Sequence, residues 1–339
     1  MRSFIVTASD PGGFNSIIPV ARALLQHSNT LTLILGGPAR LMAQKEGLKY
    51  LDGEILSPEE LESFFLRAKP NALIAGTSGE STVDKRLILI AKQHGVPSLC
   101  ILDSWLNYWQ RFSSSDEKDF KYIPDIICAP DELAKEEMIA DSIPAQLIRI
   151  TGNPHFDHFT DAIRSDGEVS GRVLFVSQPF SELREIGVYT DYGYDEYAVL
   201  QDIIYTLAIE DISSQLLIHL HPREKRDKYR AFLSKAVCLS QKESLEEELS
   251  AAELIIGMNS TVLFQAAMAG KKVLSYQPHL KASDTLISNR LGLTELIQDR
   301  AALAKKIHET LNGGGGRNKQ RVYPQDATEK VLGVINKIV

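Results

Sequence analysis

The chain has 339 residues, 44% of them hydrophobic and 24% charged, which predicts a soluble protein with two domains of ordinary size. Its formal net charge of −7 gives no indication of a nucleic-acid partner. The three cysteines are far apart and form no Cys-x-x-Cys motif, so we expect no metal site. We find no signal-peptide pattern and no apolar run of the roughly 20 residues that span a membrane, and therefore expect a cytoplasmic location.

Short apolar runs bounded by turn residues alternate with helical periodicity, a pattern typical of parallel βαβ units. The predicted strands are Phe4–Ala8, Leu31–Leu35, Ala72–Ala75, Ser98–Leu102, Asp125–Ala129, Leu147–Thr151, Val173–Ser177, Gln215–Leu220, Leu254–Ile256 and Lys272–Tyr276. The predicted helices are Ser16–Gln26, Ala39–Glu46, Ser57–Ala68, Asp131–Ala140, Asp195–Ile209, Arg223–Ala231, Val262–Ala269 and Asp326–Ile338. One further helix is predicted to end at His94, and another to begin at Ser244. The predicted fold class is α/β, with two doubly wound Rossmann-like domains facing a cleft.

A glycine-containing turn is predicted directly after the first strand. It runs from Asp10 through Gly12 and Gly13 to Asn15. Two glycines would let the backbone approach a ligand closely, although their spacing is not the G-x-G-x-x-G of a dinucleotide site. A tight turn without a ligand is the alternative.

Polar residues follow two further strands of the first domain. Glu80 lies in the loop after one strand, and Asp103 ends the next, with Trp105, Trp109 and Arg111 just beyond it. Aromatic rings beside groups that hydrogen-bond hydroxyls predict a substrate rim. Because the two tryptophans are four residues apart, a packed helix face is the alternative.

The run Gly152-Asn153-Pro154 interrupts the alternation of strands and helices. We place the first domain at residues 1–153, a linker at 154–171, the second domain at 172–325 and a final helix at 326–339.

In the second domain, two strand ends carry polar groups that suit a phosphate. One strand is followed by Asn259, Ser260 and Thr261, which open a helix, and another ends at His221 and Arg223. A helix N-terminus at the carboxyl end of a parallel strand binds anions readily. A cation, an imidazole and hydroxyls together match a nucleotide diphosphate and its ribose. The alternative is that Asn259 or Ser260 only caps the helix.

These features carry a resemblance. The His221-Pro222 strand end, the Ser260-Thr261 helix, the run from Ala267 to Val273 and the Gly-Asn-Pro crossing together resemble the GT-B-type proteins. This group includes nucleotide-sugar glycosyltransferases, UDP-N-acetylglucosamine 2-epimerases, and the glycerophosphate and sialic-acid transferases of bacterial surface polymers. In such proteins the first glycine turn faces the cleft, and a last helix often crosses back onto the first domain.

The resemblance implies a metal-independent glycosyltransferase of surface polysaccharide or glycoconjugate biosynthesis. Its donor would be a nucleotide sugar, UDP- or CMP-linked, bound as a substrate and not as a cofactor, and its acceptor a glycan or a lipid-linked glycan. The helix at Ser260 and Thr261 would stabilise the departing diphosphate, with His221 or Arg223 offsetting its charge. The residues predicted to contact the ligand are Gly12, Gly13, Asn15, Arg111, Gln178, Arg223, Asn259, Ser260, Thr261 and Gln265.

A first-domain carboxylate would deprotonate the acceptor hydroxyl, and the candidates are Asp103, Glu80 and Asp10. In the epimerases an acid followed by an arginine occupies a place comparable to that of Asp103 and Arg111. A UDP-N-acetylglucosamine 2-epimerase is therefore an alternative, with Asp103, Glu80 and His221 as acid and base.

Two positions depart from the group's patterns. Gln178 and Pro179 stand where the epimerases carry His-Arg-Arg-Glu-Asn, and this dipeptide is more similar to the surface-polymer and sialic-acid transferases. Gln265 stands near the glutamate with which many GT-B transferases hold the ribose, and an amide cannot accept two hydroxyl protons as a carboxylate does. A protein that binds a nucleotide or glycan without turnover is the third alternative.

The sequence is also compatible with a homodimer and with a peripheral membrane association.

Overall fold

A computed structural model of the chain describes residues 1–79, 82–114, 117–157, 163, 171–187, 190–209, 215–240, 244–312 and 326–339. The chain divides into two compact units, residues 1–158 with 322–339 and residues 159–321. Glu80, most of the predicted linker and the glycine run at 313–316 lie outside the described residues.

Among the described residues, seven parallel strands form the sheet of the first unit. They are β1 (Ser3–Ala8), β2 (Thr30–Leu35), β3 (Leu51–Asp52), β4 (Ala72–Ala75), β5 (Ser98–Ile101), β6 (Ile126–Ala129) and β7 (Ile148–Ile150). Their order is β3-β2-β1-β4-β5-β6-β7. The order reverses at β1 and β4, and in open parallel sheets ligands bind at the carboxyl ends of the strands at such a reversal.

In the described part of the second unit, six parallel strands form the sheet. They are β8 (Arg172–Val176), β9 (Gln215–His219), β10 (Val237–Leu239), β11 (Leu254–Gly257), β12 (Val273–Tyr276) and β13 (Leu296–Ile297). Their order is β10-β9-β8-β11-β12-β13. Because β9 and β11 flank β8, the segments that follow these three strands lie side by side at one edge of the sheet.

Helices connect most consecutive strands, as the periodicity predicts. In chain order they are α1 (Pro11–Gln26), α2 (Ala39–Lys45), α3 (Pro58–Ala68), α4 (Val83–Gln93), α5 (Tyr108–Phe112), α6 (Glu132–Ala140), α7 (Phe180–Glu185), α8 (Glu196–Ile209), α9 (Leu245–Ala251), α10 (Thr261–Met268), α11 (Ile287–Arg290), α12 (Arg300–Asn312) and α13 (Ala327–Ile335). Within the described ranges, no helix has both the length and the hydrophobicity that a membrane crossing requires.

Both faces of a parallel sheet of this kind are buried under helices, and strand β8 of the second unit is an example. Val173 and Phe175 of β8 pack into one apolar cluster, whereas Leu174 and Val176 pack into another. Successive side chains of a strand point to opposite faces. Helices cover both faces, which explains the continuous apolar runs that identify the strands in the sequence.

Helix α13 packs in the first unit. Its contributions to the core cluster around α1 and β1 are Val331, Leu332 and Ile335. The carboxylate of Asp157 accepts hydrogen bonds from the backbone N–H groups of Ala327 at 3.0 Å and Thr328 at 2.8 Å. An acid in this position satisfies otherwise unpaired donors and complements the helix dipole. A carboxylate just after the Gly-Asn-Pro run therefore holds the start of the last helix.

Two local predictions of helix starts are confirmed. Ser57 Oγ accepts from the backbone N–H of Glu60 at 3.2 Å, and Glu60 Oε2 accepts from the backbone N–H of Ser57 at 2.9 Å. Asp131 Oδ1 accepts from the backbone N–H of Ala134 at 2.8 Å. Both starts are set by side chains within one turn, which is why the sequence alone predicts them.

The predicted glycine turn after β1 is wrong. Helix α1 already begins at Pro11, where proline suits the first helical position, and Gly12 and Gly13 lie in its first turn. A Cβ at Gly12 would lie 1.9 Å from Asp103 Oδ2, and one at Gly13 would lie 3.2 Å from the backbone nitrogen of Thr77. The two glycines therefore let the helix approach the ends of β4 and β5.

The charged helix predicted between Arg223 and Ala231 is also wrong. Turns follow β9 instead, and only a short 3-10 turn forms at Arg230–Phe232. Lys228, predicted to belong to a solvated helix face, has a side chain only 2% exposed. Lys228 forms ion pairs in the interior. These tertiary contacts override the helix propensity of the segment and fix it as a series of turns.

Candidate functional site

At the carboxyl edge of the first sheet, the predicted residues Asp103 and Arg111 contact each other and a third side chain, that of Thr77. Asp103 follows β5 and Thr77 follows β4, and Arg111 reaches them from α5. Arg111 Nη1 lies 2.6 Å from Asp103 Oδ1 and donates to Thr77 Oγ1 at 2.7 Å, while Thr77 Oγ1 donates to Asp103 Oδ1 at 2.8 Å. The side chains of Arg111 and Asp103 are 11% and 13% exposed. The result is a largely buried ion pair with a hydroxyl in the same triangle.

The other oxygen of Asp103 lies against the first turn of α1. The 1.9 Å approach to a Cβ at Gly12 shows how closely the carboxylate fits there, and a helix N-terminus favours a negative charge. Asp10 stands at the N-cap position, and its carbonyl accepts from the backbone N–H of Phe14 at 2.9 Å. Asn15 is half-buried on the same helix. The structure thus brings Gly12, Gly13, Asp103 and Arg111 together.

The described residues on either side of Glu80 are held by side-chain hydrogen bonds. Ser78 Oγ donates to Asp84 Oδ2 at 2.8 Å, and Lys85 Nζ donates to the carbonyl of Gly79 at 3.3 Å. Lys85 also donates to the carbonyl of Ser113 at 3.0 Å, and burial lowers the pKa of its ammonium group. These contacts fix both flanks of the segment that carries Glu80.

Trp105 does not belong to the predicted substrate rim. Trp105 is 7% exposed, donates from Nε1 to Asp131 Oδ2 at 2.8 Å, and stacks on Phe156 with ring centroids 6.5 Å apart. Trp105 precedes α5, so it does not share a helix face with the half-buried Trp109 either. Its ring is part of the packing of the first unit.

In the second unit, Gln178 and Asn259 join the ends of β8 and β11. Gln178 Nε2 donates to Asn259 Oδ1 at 2.7 Å, and the backbone N–H of Asn259 donates to Gln178 Oε1 at 3.0 Å. Both residues are half-buried. A reciprocal amide pair of this kind fixes the segment that leads into α10.

Ser260 caps α10, as one of the two interpretations of this stretch predicts. Its Oγ accepts from the backbone N–H of Val262 at 3.2 Å. Thr261 is the first helical residue and is exposed, whereas Gln265 is half-buried one turn further along. The backbone N–H of Leu263 also donates to the carbonyl of Ser260 at 3.0 Å. Two N–H groups of the first turn are therefore satisfied, and that of Thr261 is the one that an anion could accept from.

The segment after β9 places an imidazole and a guanidinium at the same edge. Arg223 donates its backbone N–H to His221 Nδ1 at 3.1 Å, so the ring proton of His221 is on Nε2. Burial lowers the pKa of His221, which favours the neutral ring. Of the two groups predicted to offset negative charge, His221 is thus a neutral N–H donor, and the exposed Arg223 is the cation.

A buried ion cluster supports this segment. Lys228 Nζ donates to Glu182 at 2.7 Å and to Glu196 and Glu224 at 2.6 Å each. Glu224 Oε2 in turn accepts from the backbone N–H of His221 at 2.6 Å. Burial alone would lower the pKa of Lys228, but its bonds to three carboxylates outweigh this effect and raise it. The cluster ties the segments after β8 and β9 together.

Three of these contributors are not predicted by the sequence. Lys228 and Glu224 are four residues apart, but the pattern around them is typical of an exposed charged helix. Thr77 belongs to a polar loop, and its spacing to Asp103 carries no local signal.

These two carboxyl edges, each on a doubly wound parallel sheet, define the fold class. The chain has the two-domain, Rossmann-like GT-B type fold. It is similar to UDP-GlcNAc 2-epimerase from Methanocaldococcus jannaschii, with a TM-score of 0.72 and 15% identity over 99% of this chain and 100% of that one. It is similar to UDP-GlcNAc 2-epimerase from Neisseria meningitidis bound to UDP-GlcNAc, with a TM-score of 0.69 and 14% identity over 98% and 99% of the two chains. It is also similar to MurG from Acinetobacter baumannii, with a TM-score of 0.63 and 13% identity over 99% and 100%.

Comparisons by sequence give no match to a protein-family model and none to a curated protein. At these identities the structural similarity establishes the fold, and the activity must be argued from the residues.

Proposed function

We propose that the protein is a metal-independent glycosyltransferase that binds a nucleotide-sugar donor at the carboxyl edge of its second sheet. The observation that carries this proposal is that α10 and the segment after β9 flank the end of β8 at one edge of the sheet. Arg223, His221 and the start of α10 thereby bring a cation, a neutral N–H donor and a helix N-terminus to one edge.

The chemistry of this edge fits a departing nucleotide phosphate. Backbone N–H groups at a helix N-terminus hold phosphate oxygens, and the exposed hydroxyl of Thr261 adds a donor. Arg223 supplies the positive charge that a metal ion supplies in other transferases. Donors that are already oriented stabilise negative charge as it develops, and this stabilisation often contributes more to catalysis than any other effect.

The first unit supplies the acceptor side of the proposal. Asp103 and Arg111 offer a fixed carboxylate and a fixed guanidinium for the hydroxyls of a glycan or a lipid-linked glycan. Asp103, Glu80 and Asp10 stay candidates for the acceptor's base, and Asp103 is already bound by Arg111 and Thr77. UDP and CMP are the nucleotides that we expect, and a homodimer or a peripheral membrane association remains compatible with this role.

A UDP-GlcNAc 2-epimerase is the second candidate, favoured by the fold similarity to two such enzymes and by the paired Asp103 and Arg111. Gln178 counts against it, because its amide is occupied by Asn259 at the place where the epimerases carry a histidine and basic residues. A binding protein without turnover is the third candidate, since Gln265 is an amide.

A thermal-shift screen with UDP, CMP, CDP, GDP and their common sugars tests the proposal. A ligand at 100 times its dissociation constant stabilises the folded state by about 2.7 kcal/mol, which the melt detects. Product analysis then separates the candidates. Transfer to an acceptor, or to water, supports the transferase, a 2-epimerised sugar supports the second candidate, and binding without any product supports the third.

A further inference from the structure

The end of β9 carries two histidines that the structure holds in opposite tautomers. His221 Nδ1 accepts the backbone N–H of Arg223, so its Nε2 is a donor. His219 Nδ1 lies 2.6 Å from Glu248 Oε2, and an ionised carboxylate can only accept. The ring proton of neutral His219 is therefore on Nδ1, and its Nε2 has a free lone pair. One strand end thus offers an N–H donor and, two residues earlier, a nitrogen acceptor.

Among the described residues, the side chain of Glu248 forms a hydrogen bond with His219 and with no other residue. Its side chain is 1% exposed, and its second oxygen, Oε1, is buried without a hydrogen-bond partner. A buried carboxylate with one unsatisfied oxygen costs stability. In the described packing of the helix on the sheet, no polar contact other than that with His219 involves the Glu248 carboxylate. A carboxylate on Nδ1 fixes the ring of a histidine and stabilises the imidazolium that forms when Nε2 takes up a proton.

His219 lies in register with the proposed phosphate site. It pairs with Val176 of β8, which pairs with Gly257 of β11. A Cβ at Gly257 would lie 3.0 Å from Leu263 Cδ2, so α10 begins over this strand end. Two strand spacings separate His219 from Gly257, a distance of about 10 Å that matches a diphosphate with its attached sugar. The His219 side chain is 24% exposed, and within the described ranges Nε2 has no partner.

We propose that His219, oriented by Glu248, is the base that removes the acceptor's proton, an inference that rests on the proposed function and replaces Asp103, Glu80 and Asp10 in this one role. The acceptor O–H bond breaks and its proton goes to His219 Nε2. The acceptor oxygen forms a bond to the anomeric carbon as the bond from that carbon to the phosphate oxygen breaks. The electron pair of the broken bond leaves with the nucleotide, next to α10. Glu248 is a positioning residue in this step.

The test compares His219→Gln with the wild type on UDP-N-acetylglucosamine and CMP-sialic acid, with water as the acceptor. Glutamine keeps hydrogen bonding and cannot take the proton. We expect kcat to fall about 10²–10⁴-fold, while the dissociation constant for the nucleotide stays within about threefold. His308→Gln, on the exposed face of α12, is the matched control and retains wild-type kcat.

The pH profile separates a base from a packing residue. Among the described residues, Glu248 on α9 is the charged group that contacts His219, while Glu224 and Arg223 contact His221 two residues further along. Wild-type kcat must fall in acid, because protonated Nε2 cannot accept, and His219→Gln must lose this limb. Glu248→Gln should lower kcat by about 10–100-fold and shift the limb, with nucleotide affinity unchanged.

Each outcome decides one claim. A wild type that turns over while His219→Gln keeps its kcat and its acidic limb refutes the role of His219 and leaves the proposed function intact. A His219→Gln variant that loses nucleotide affinity with an unchanged saturated kcat refutes it as well, because His219 would then be only a ligand contact. If that variant does not fold, the acidic limb of the wild type and the shift in Glu248→Gln decide the matter. A wild type without turnover of either donor refutes the proposed function, and the role of His219 with it.

Discussion

Replacing Lys228 by methionine removes the positive charge that holds three carboxylates together in the second unit. The side chains of Glu196 and Glu224 in this cluster are 0% exposed, and that of Glu182 is 27% exposed. Methionine fills a similar volume without charge. The variant therefore leaves two buried carboxylates without a counter-ion, and Glu196 already has one unsatisfied oxygen.

Breaking a buried ion pair from one side costs about 3–5 kcal/mol, and the loss of three charge-assisted hydrogen bonds places this variant in the upper part of that range. For a domain of this size the melting temperature should fall by about 6–20 °C. Differential scanning calorimetry measures the fall directly. Lys225→Met changes an exposed lysine of the same segment and should alter stability by no more than about 0.5 kcal/mol.

The pH dependence provides a second test of the same cluster. Burial opposes ionisation of Glu182, but the hydrogen bond from Lys228 outweighs it and lowers the pKa of Glu182. Its contribution is therefore present above the ordinary carboxyl pKa and is lost as the pH falls through the lowered value. In Lys228→Met, protonation relieves the stranded carboxylates, so the stability gap to the wild type narrows from about pH 8 to about pH 5. A gap below about 1 kcal/mol, or one that widens in acid, would show that Lys228 does not hold these carboxylates in their ionised form.

Four further substitutions have expected outcomes. Gly12→Ala places a Cβ 1.9 Å from Asp103 Oδ2, so it should displace the carboxylate from Arg111 and lower stability by about 1–3 kcal/mol in a denaturant melt; an unchanged melt contradicts this. Gly333→Ala is its control, because this exposed glycine of α13 has no atom near the new Cβ, and alanine should stabilise the helix by about 0.5–1 kcal/mol. Ser260→Ala removes the α10 cap and should cost about 1 kcal/mol, while Ser260→Gly should cost less.

The sequence predicts best what is decided within a few residues. The β11–α10–β12 unit, the Ser57 capping box and the cap at Asp131 all depend on local spacing, and the structure confirms them. The ends of β9 and β11 lie at one edge of the sheet because parallel strands share their carboxyl edge, but β8 lies between them, and the pattern of strands does not predict this.

What the sequence does not predict depends on contacts between distant residues. Lys228 belongs to a basic run that resembles an exposed helix, and only its three carboxylate partners show that it is buried. Trp105 has no local signal for its bond to Asp131. The two-residue strands β3 and β13 are too short to produce a periodic pattern.

The charge of His221 escapes prediction for a similar reason. Its neutral state follows from burial and from the backbone N–H that Nδ1 accepts, and neither can be inferred from the residue type.

Isothermal titration calorimetry of the protein with UDP and with CMP is the decisive test of a nucleotide-sugar site at the carboxyl edge of the second sheet. We expect saturable binding of one of these nucleotides. Arg223→Met should weaken it by about 10–100-fold, the effect of losing one charge-assisted contact worth about 1.5–3 kcal/mol. Arg226→Met, an exposed arginine of the same segment, should bind as the wild type does. Equal affinities of all three proteins, or no binding of either nucleotide, would contradict the placement of the site at this edge.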